Sequence, residues 1–562
     1  MSGDASILPE EHEKSLALAA ECAKLWPKML AKGQEDGPPE GATNVEPSKL
    51  SEADVHTIKV DVLRTRGNHP AFDATMREQL RKMLTELCRK ERIRYMQGLH
   101  EVAAVFAYIQ SVAAFDGDSE ASALNCFTSF VRIFMPCFYD GESFVILHVT
   151  LLFFRQLLLY HLPHLHNQLE EAGVAPVVYA TPWFITLFAY KNPLHVIMRL
   201  WHEYIRRGDP TFVPFLAVAL MELEKQAFLD AQEDDFNSAV DRTRITSLEK
   251  LKDVWKAAEN LHARTPKSFT FRMSKVLTQV RQQLRKTGTG APWTGSVLAR
   301  AEQERRLALL AREAVAQHVR DGALGASSTG ETVPSTGLPS LKVLLLDVRP
   351  KSAFDAEHLS CAVHFHPTCL QRFALLSAGM SQPRAERLAA ALKRAMVDVG
   401  DLVLRKDSAP VLGVAGAAGA GAADATVLGT EVFQALQAAA SAAWGEGWLS
   451  ESERAHLAIL GGEDDWDSAQ LCKTDAGGVV AALFELLTEQ LSMPRVSVIL
   501  GGAGVLHREA EKRGVKLCSK AVELGPQDRL RGLLSGGADR ASRAFASLRQ
   551  KAKQAVDARD AQ

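Results

Sequence analysis

The chain has 562 residues, more than one hydrophobic core normally supports, so two or three domains are expected. With 47% hydrophobic and 23% charged residues and a formal net charge of −2, its composition is that of a globular protein. So balanced a charge gives no electrostatic case for nucleic acid or a strongly acidic partner.

The eight cysteines lie far apart, mostly in apolar stretches and with no CxxC pair. They read as reduced structural thiols of a cytosolic protein, not as a disulfide frame or a zinc site. The first residues, Met1 to Glu13, are polar and acidic and lack the basic start and apolar run of a signal peptide. Residues 1–50 read as an N-terminal extension with a helix around Ser15–Leu30 and a Gly/Pro/Glu-rich connector from Gly33 to Pro47. From residue 51 to residue 284 apolar residues recur every three or four positions, as in Phe72, Met76, Leu80, Met83, Leu84 and Leu87, and again in Val196, Ile197, Leu200, Trp201 and Tyr204. Prolines at 70, 136, 163, 176, 182, 193, 210 and 214 punctuate the pattern as helix starts and ends do, so 51–284 is predicted to be an all-α domain. Its most apolar stretch, Phe144 to Tyr160, carries His148 and Arg155, and Phe212 to Met221 is too short to span a bilayer. Both are expected to be buried core helices, which leaves only peripheral contact with membranes.

Residues 285–340 are predicted to hold one charged helix, at about Val297–Val319, and a flexible linker rich in Gly, Ser, Thr and Pro, Asp321 to Pro339. At Leu341 the character changes. Leu341–Asp347, Ala455–Leu460 and Arg495–Leu500 are compact apolar runs of strand length, the last two ending in paired glycines. Helical patterns separate them, so residues 341–515 are predicted to form an α/β domain. Within it, the Ala/Gly-rich piece 411–429 has too few large side chains for a core and reads as an insertion. A basic tail follows, 516–562, whose end reads as an amphipathic helix through Leu530, Phe545 and Leu548.

One constellation in the helical region is specific. Ile58-x-x-Asp61-x-x-Arg64 is followed, about thirty residues on, by Tyr95-x-Gln97-Gly98. By residue type alone, Asp61 and Arg64 are equally an exposed ion pair one helical turn apart, and Gln97 a turn residue. Together, the two segments resemble the paired finger motifs of the TBC family of Rab GTPase-activating proteins. The likeness continues through Val178–Phe188, Pro193–Trp201 and Thr265–Phe269, where Trp183 and Trp201 are expected to be scaffold residues. It implies that Arg64 and Gln97 are catalytic, supported by Asp61 and Tyr95. A planar, permanently charged guanidinium inserted in trans would neutralise the charge that spreads over the transferred phosphoryl oxygens, an effect worth on the order of 10³–10⁵ in rate. The Gln amide both donates and accepts, so it would orient the attacking water. Asp61 would hold the guanidinium, and Tyr95 would brace the loop that presents Gln97. The protein would need no cofactor of its own, since GTP and Mg belong to the Rab partner.

The segment Leu344-Leu-Leu-Asp347-Val-Arg349-Pro350, continued by Phe354, His358, Leu359 and Ala362, is similar to the opening of rhodanese domains. The resemblance implies structural roles for Asp347, Arg349 and His358. Active rhodanese domains present a nucleophilic Cys in a loop of backbone N–H groups, because the thiolate needs a positive cradle. The matching stretch here, Ala458-Ile-Leu-Gly461-Gly-Glu463-Asp464-Asp465, has no Cys and carries three acids. Cys361, Cys369 and Cys472 lie elsewhere, so sulfur transfer is not expected. The order of the two domains resembles the C-terminal half of the TBC proteins that carry a kinase-like domain, which is absent here, and, second, a Golgi adaptor branch of the family that lacks both fingers.

Two readings of function result. The first is a Rab GTPase-activating protein of vesicle and endosomal traffic, with an inactive rhodanese-like domain that docks trafficking scaffold proteins. The second is a non-catalytic adaptor between endosome and Golgi. Either would be cytoplasmic and only peripherally associated with endosomal or Golgi membranes.

Overall fold

The computed structural model describes residues 9–31, 50–115, 119–139, 144–229, 239–240, 242–287, 307–320, 342–349, 351–359, 362–364, 455–462, 480–481, 483–490 and 492–518. The chain forms two compact units. One is helical and holds most of the residues up to 305; the other runs from 306 onward and takes in the short pieces Leu159–Asn167 and Pro266–Phe269.

In the helical unit, α1 (Pro9–Met29) buries Ala19, Cys22, Ala23 and Trp26, the three- and four-residue spacing of an amphipathic helix. The Trp26 ring lies 5.4 Å from Phe106 and 6.4 Å from Trp201. The segment expected to be an N-terminal extension is therefore part of the core. Next comes α2 (Glu52–Arg64), started by Ser51, whose hydroxyl accepts from the Asp54 N–H, and by acidic residues in its first turn. Helix α3 (Ala74–Glu91) is capped by Asp73 and buries Met76, Leu80, Leu84 and Leu87. Helix α4 (Leu99–Ala113) is buried on every side from Leu99 to Ile109 and forms the middle of the unit. Phe106 on α4, Phe130 on α5 (Ser119–Phe134) and Trp201 on α6 (Leu194–Arg207) pack as an aromatic cluster with centroids 4.6–5.9 Å apart. The two apolar stretches become the helices Val145–His161 and Val213–Leu223, the latter buried throughout Val213–Met221. No described helix is long and apolar enough to cross a membrane.

The second unit is built on a five-stranded, all-parallel sheet in the order β1-β5-β4-β2-β3, with β1 Ala308–Leu310, β2 Lys342–Asp347, β3 Ala362–His364, β4 Ala455–Leu460 and β5 Val496–Leu500. Register runs Leu345↔Ala458 between the central strands and Ala308↔Val498 at the edge. Val343, Leu345, Ala458, Leu460 and Ile499 share one core with Phe354, Leu359 and Leu506, while Leu344, Leu346, Leu457 and Ile459 are buried as well. Burial of both faces explains why these strands are mostly apolar runs rather than alternating ones, with His456 and Ser497 as buried polar exceptions. Two strands depart from the sequence reading. Residues 308–310, expected within a charged helix, pair with β5 and only then enter the helix Ala311–Arg320. Leu-Ala-Leu-Leu is a good helix sequence, and the open edge of β5 outweighs that propensity. The three-residue edge β3 is too short for a periodic signal. The insertion 411–429 and nearly all of the tail 516–562 lie outside the described residues.

Candidate functional site

Arg64 is the last residue of α2, where a cation is favoured by the helix dipole. The helix stops there because Thr65 turns to an extended ψ of 116° and Arg66 enters the left-handed region with φ +45°, while the Thr65 N–H and hydroxyl still bond the Asp61 carbonyl at 3.0 and 2.7 Å. Beyond the turn, Arg66 donates to the Asn192 and Ala189 carbonyls at 2.9 and 2.8 Å and lies 3.6 Å from the Glu101 carboxylate. The Arg64 side chain is about half exposed, at 54%, yet its Nη2 reaches Asp61 Oδ1 at 2.5 Å. Asp61 itself is buried. Its other oxygen accepts from the Tyr95 hydroxyl at 2.7 Å, so one carboxylate joins the two sequence segments.

Tyr95 is buried, and burial followed by the bond to Asp61 raises its pKa well above the usual value, which keeps the hydroxyl protonated as a donor. Gln97 is exposed, and among the described residues no hydrogen bond holds its side chain. Gly98, which follows it, caps α4 with φ +103°, a conformation side-chain-bearing residues rarely adopt. A Cβ there would come within 3.0 Å of Ile185 Cδ1. The His100 ring sits beneath the loop, with Nδ1 3.3 Å from the Gly98 nitrogen and 3.0 Å from Tyr95 Oη. Burial holds its pKa well below the ordinary histidine value, Asp61 opposing and Arg64 adding to the effect, so the ring is neutral near pH 7.

Arg64 and Arg66 also line an open cleft of about 720 Å³ with His69, Lys191, His195 and Arg244, in which Glu101 is the one carboxylate. Such a lining suits an anionic group or an acidic protein surface. Sequence reading missed His100, Glu101 and Arg66. The first two lie two and three positions after Gly98, but nothing in their spacing says that the ring folds back under the loop. Among the described residues no group of His, Cys, Asp or Glu could hold a metal ion.

In the α/β unit Asp347 ends β2, fully buried, and accepts from Arg349 Nε at 3.0 Å and Nη2 at 2.7 Å and from the Arg349 N–H at 3.0 Å. Arg349 also donates to the Glu357 carbonyl, and Gly462 leaves room beside its stem. His358 stacks on Phe354 with ring centroids 4.1 Å apart, bonds the Phe354 carbonyl, and exchanges backbone hydrogen bonds with Cys518. These three side chains are consumed by one another and by the backbone, which is a way to fasten the β2 loop rather than to perform chemistry. The acidic residues 463–465, and Cys361, Cys369 and Cys472, lie outside the described residues. Cys22, Cys88, Cys126 and Cys137 are buried and in no disulfide among the described residues.

A family model, RabGAP-TBC, described as the Rab-GTPase-TBC domain, matches residues 23–229. It begins inside α1, in keeping with the burial of Trp26. The chain is similar to the TBC domain-containing protein kinase-like protein of Homo sapiens, 30% identical over 181 residues that cover 32% of this chain and 19% of that protein. The Mus musculus form is 29% identical over 178 residues, with the same coverage. TBC1 domain family member 2B of Homo sapiens is 26% identical over 181 residues, covering 31% of this chain and 18% of that protein. The chain thus spans about a fifth of the length of these relatives. Among solved structures, the Chlamydomonas flagellar RabGAP TBC domain aligns at 14% identity with a TM-score of 0.34, covering 46% of this chain and 85% of that one. The Ypt/Rab-GAP domain of Gyp1p aligns at 15% identity with a TM-score of 0.32, covering 46% and 88%.

Proposed function

We propose, from the match of residues 23–229 to the Rab-GTPase-TBC domain model, that this chain stimulates GTP hydrolysis on a Rab-family GTPase through Arg64 and Gln97. The observation that carries this reading is the Arg64–Asp61–Tyr95 linkage: an exposed guanidinium held at 2.5 Å by a buried carboxylate, which in turn holds the loop bearing the exposed Gln97. A surface ion pair with no further role has no reason to be tied to a second segment by a buried tyrosine. In the complex, Arg64 leaves or shares Asp61 to meet the phosphoryl oxygens, and Gln97 orients the attacking water. The nucleotide and Mg come with the partner. The cationic cleft beside Arg64 supports an acidic contact surface on that partner.

The role follows in vesicle traffic, with the chain held peripherally at endosomal or Golgi membranes. The α/β unit acts there as an inactive rhodanese-like docking domain for trafficking scaffold proteins. Its support is the closed Asp347–Arg349 pairing and the absence of Cys from the 458–465 sequence.

The test is hydrolysis across a panel of Rab proteins. Arg64→Lys keeps the charge but loses the planar fork. It is expected to lower stimulation of the responsive Rab by about 10²–10³ while leaving its binding nearly intact. Gln97→Ala lowers the rate without weakening association. Effects of only a few-fold in both variants refute the finger roles, and binding without stimulation by the wild-type chain supports the adaptor reading instead.

A further inference from the structure

We propose that His100 is a positioning residue that sets the separation of the two fingers before any partner binds. This rests on the assignment of Arg64 and Gln97 just given. His100 lies in the first turn of α4 and is 6% exposed, on a helix buried from Leu99 to Ile109. The Gly98 N–H has its hydrogen fixed by the peptide plane, and it points at Nδ1, 3.3 Å away. Nδ1 is therefore the accepting nitrogen, and the proton of the neutral ring sits on Nε2. The same Nδ1 stands 3.0 Å from Tyr95 Oη and 3.4 Å from Asp61 Oδ2.

The hydroxyl hydrogen of Tyr95 goes to Asp61, the nearer and charged acceptor, at 2.7 Å. The ring is thus wedged between the Gln97–Gly98 peptide on one side and the Tyr95–Asp61 pair on the other. The Gly98 N–H is thus bonded to the ring, the ring packs against the Tyr95 oxygen, and Tyr95 bonds the Asp61 carboxylate that holds Arg64. Without the ring, the Gly98 N–H loses a buried acceptor. Misplacement of a catalytic group by about 1 Å costs on the order of 10²-fold in rate.

The distinguishing prediction uses acceptor position. Asn at 100 places its Oδ1 close to where Nδ1 stands; Gln places its oxygen one bond further out, nearer Nε2. His100→Asn is expected to retain stimulation of the responsive Rab within a few-fold. His100→Gln and His100→Phe are expected to lose about 10²-fold in kcat with KM for the Rab nearly unchanged. Site-resolved amide exchange on the unbound full chain gives a second readout. The Gly98 amide should be protected in wild type and His100→Asn, and should exchange faster in His100→Gln. Wild-type stimulation matched by His100→Gln and His100→Phe, or Gly98 protection equal in all three variants, overturns this assignment alone. A wild-type chain that stimulates no Rab overturns the finger reading and this assignment with it.

Discussion

Gly98→Ala is the most direct test of how the loop presents Gln97. At φ +103° and ψ −32°, a residue with a Cβ pays backbone strain of about 1–3 kcal/mol. The new methyl would also stand 3.0 Å from Ile185 Cδ1 and 3.1 Å from its Cγ1, so that side chain must yield by a few tenths of an ångström. Pushing Ile185 off its rotamer adds about 1 kcal/mol. The sum, about 3 kcal/mol, corresponds to a fall of roughly 6–12 °C in thermal midpoint for a domain of this size. Thermal unfolding of the full chain by far-ultraviolet circular dichroism measures it, and the stimulated GTPase rate is expected to fall with it by about 10². Ile185→Ala separates the two contributions, because it removes both Cδ1 and Cγ1 and so relieves the contact but not the backbone. In the double variant only the steric share should return. A Gly98→Ala chain that unfolds with wild type and stimulates hydrolysis as fast refutes the reasoning.

Further expectations concern stability. Glu91 is fully buried and holds Arg132 through two bonds of 2.7 Å and the Tyr139 hydroxyl at 2.9 Å. Glu91→Gln should therefore cost about 3–5 kcal/mol in urea unfolding, whereas Glu91→Leu combined with Arg132→Met should cost clearly less, since no charge is left unpaired. The pH dependence follows from histidines that fold neutral. Burial first, then the charges of Arg66 and His12, pushes His69 down to about 4 from its ordinary 6.5, and His100 is also lowered, chiefly by burial. A depressed histidine leaves the unfolded chain the better proton binder between those values. Its stabilisation is complete above pH 6.5 and is lost as pH falls toward 4. Glu101, raised by burial, acts with the opposite sign and only near the carboxylate range. Thermal midpoints should decline from neutral to about pH 5, and His69→Asn should flatten that slope.

The sequence by itself determined the helical character of the first half, the three long buried strands and the two motif segments around Arg64 and Gln97. Each of these is written in local periodicity or in a short motif, and burial follows periodicity wherever a helix or strand has a single inner face. It also determined that Asp61 lies one turn before Arg64, since that spacing is a property of any helix. Tertiary structure alone decided the rest. Trp26 joins the core because a cluster of Phe106 and Trp201 awaits it, and no local rule foretells that a helix before a Gly/Pro-rich connector will be gathered in. Residues 308–310 become a strand because β5 offers an unpaired edge, a partner almost two hundred positions away. The site shows the same division most sharply. Arg64, Asp61, Tyr95 and Gln97 were legible as residues, but the carboxylate that joins the two segments, the left-handed turn at Gly98 and the ring of His100 under the loop exist only once α2 and α4 are packed. Hydrogen bonds across 34 residues depend on that packing, and local spacing carries no record of it.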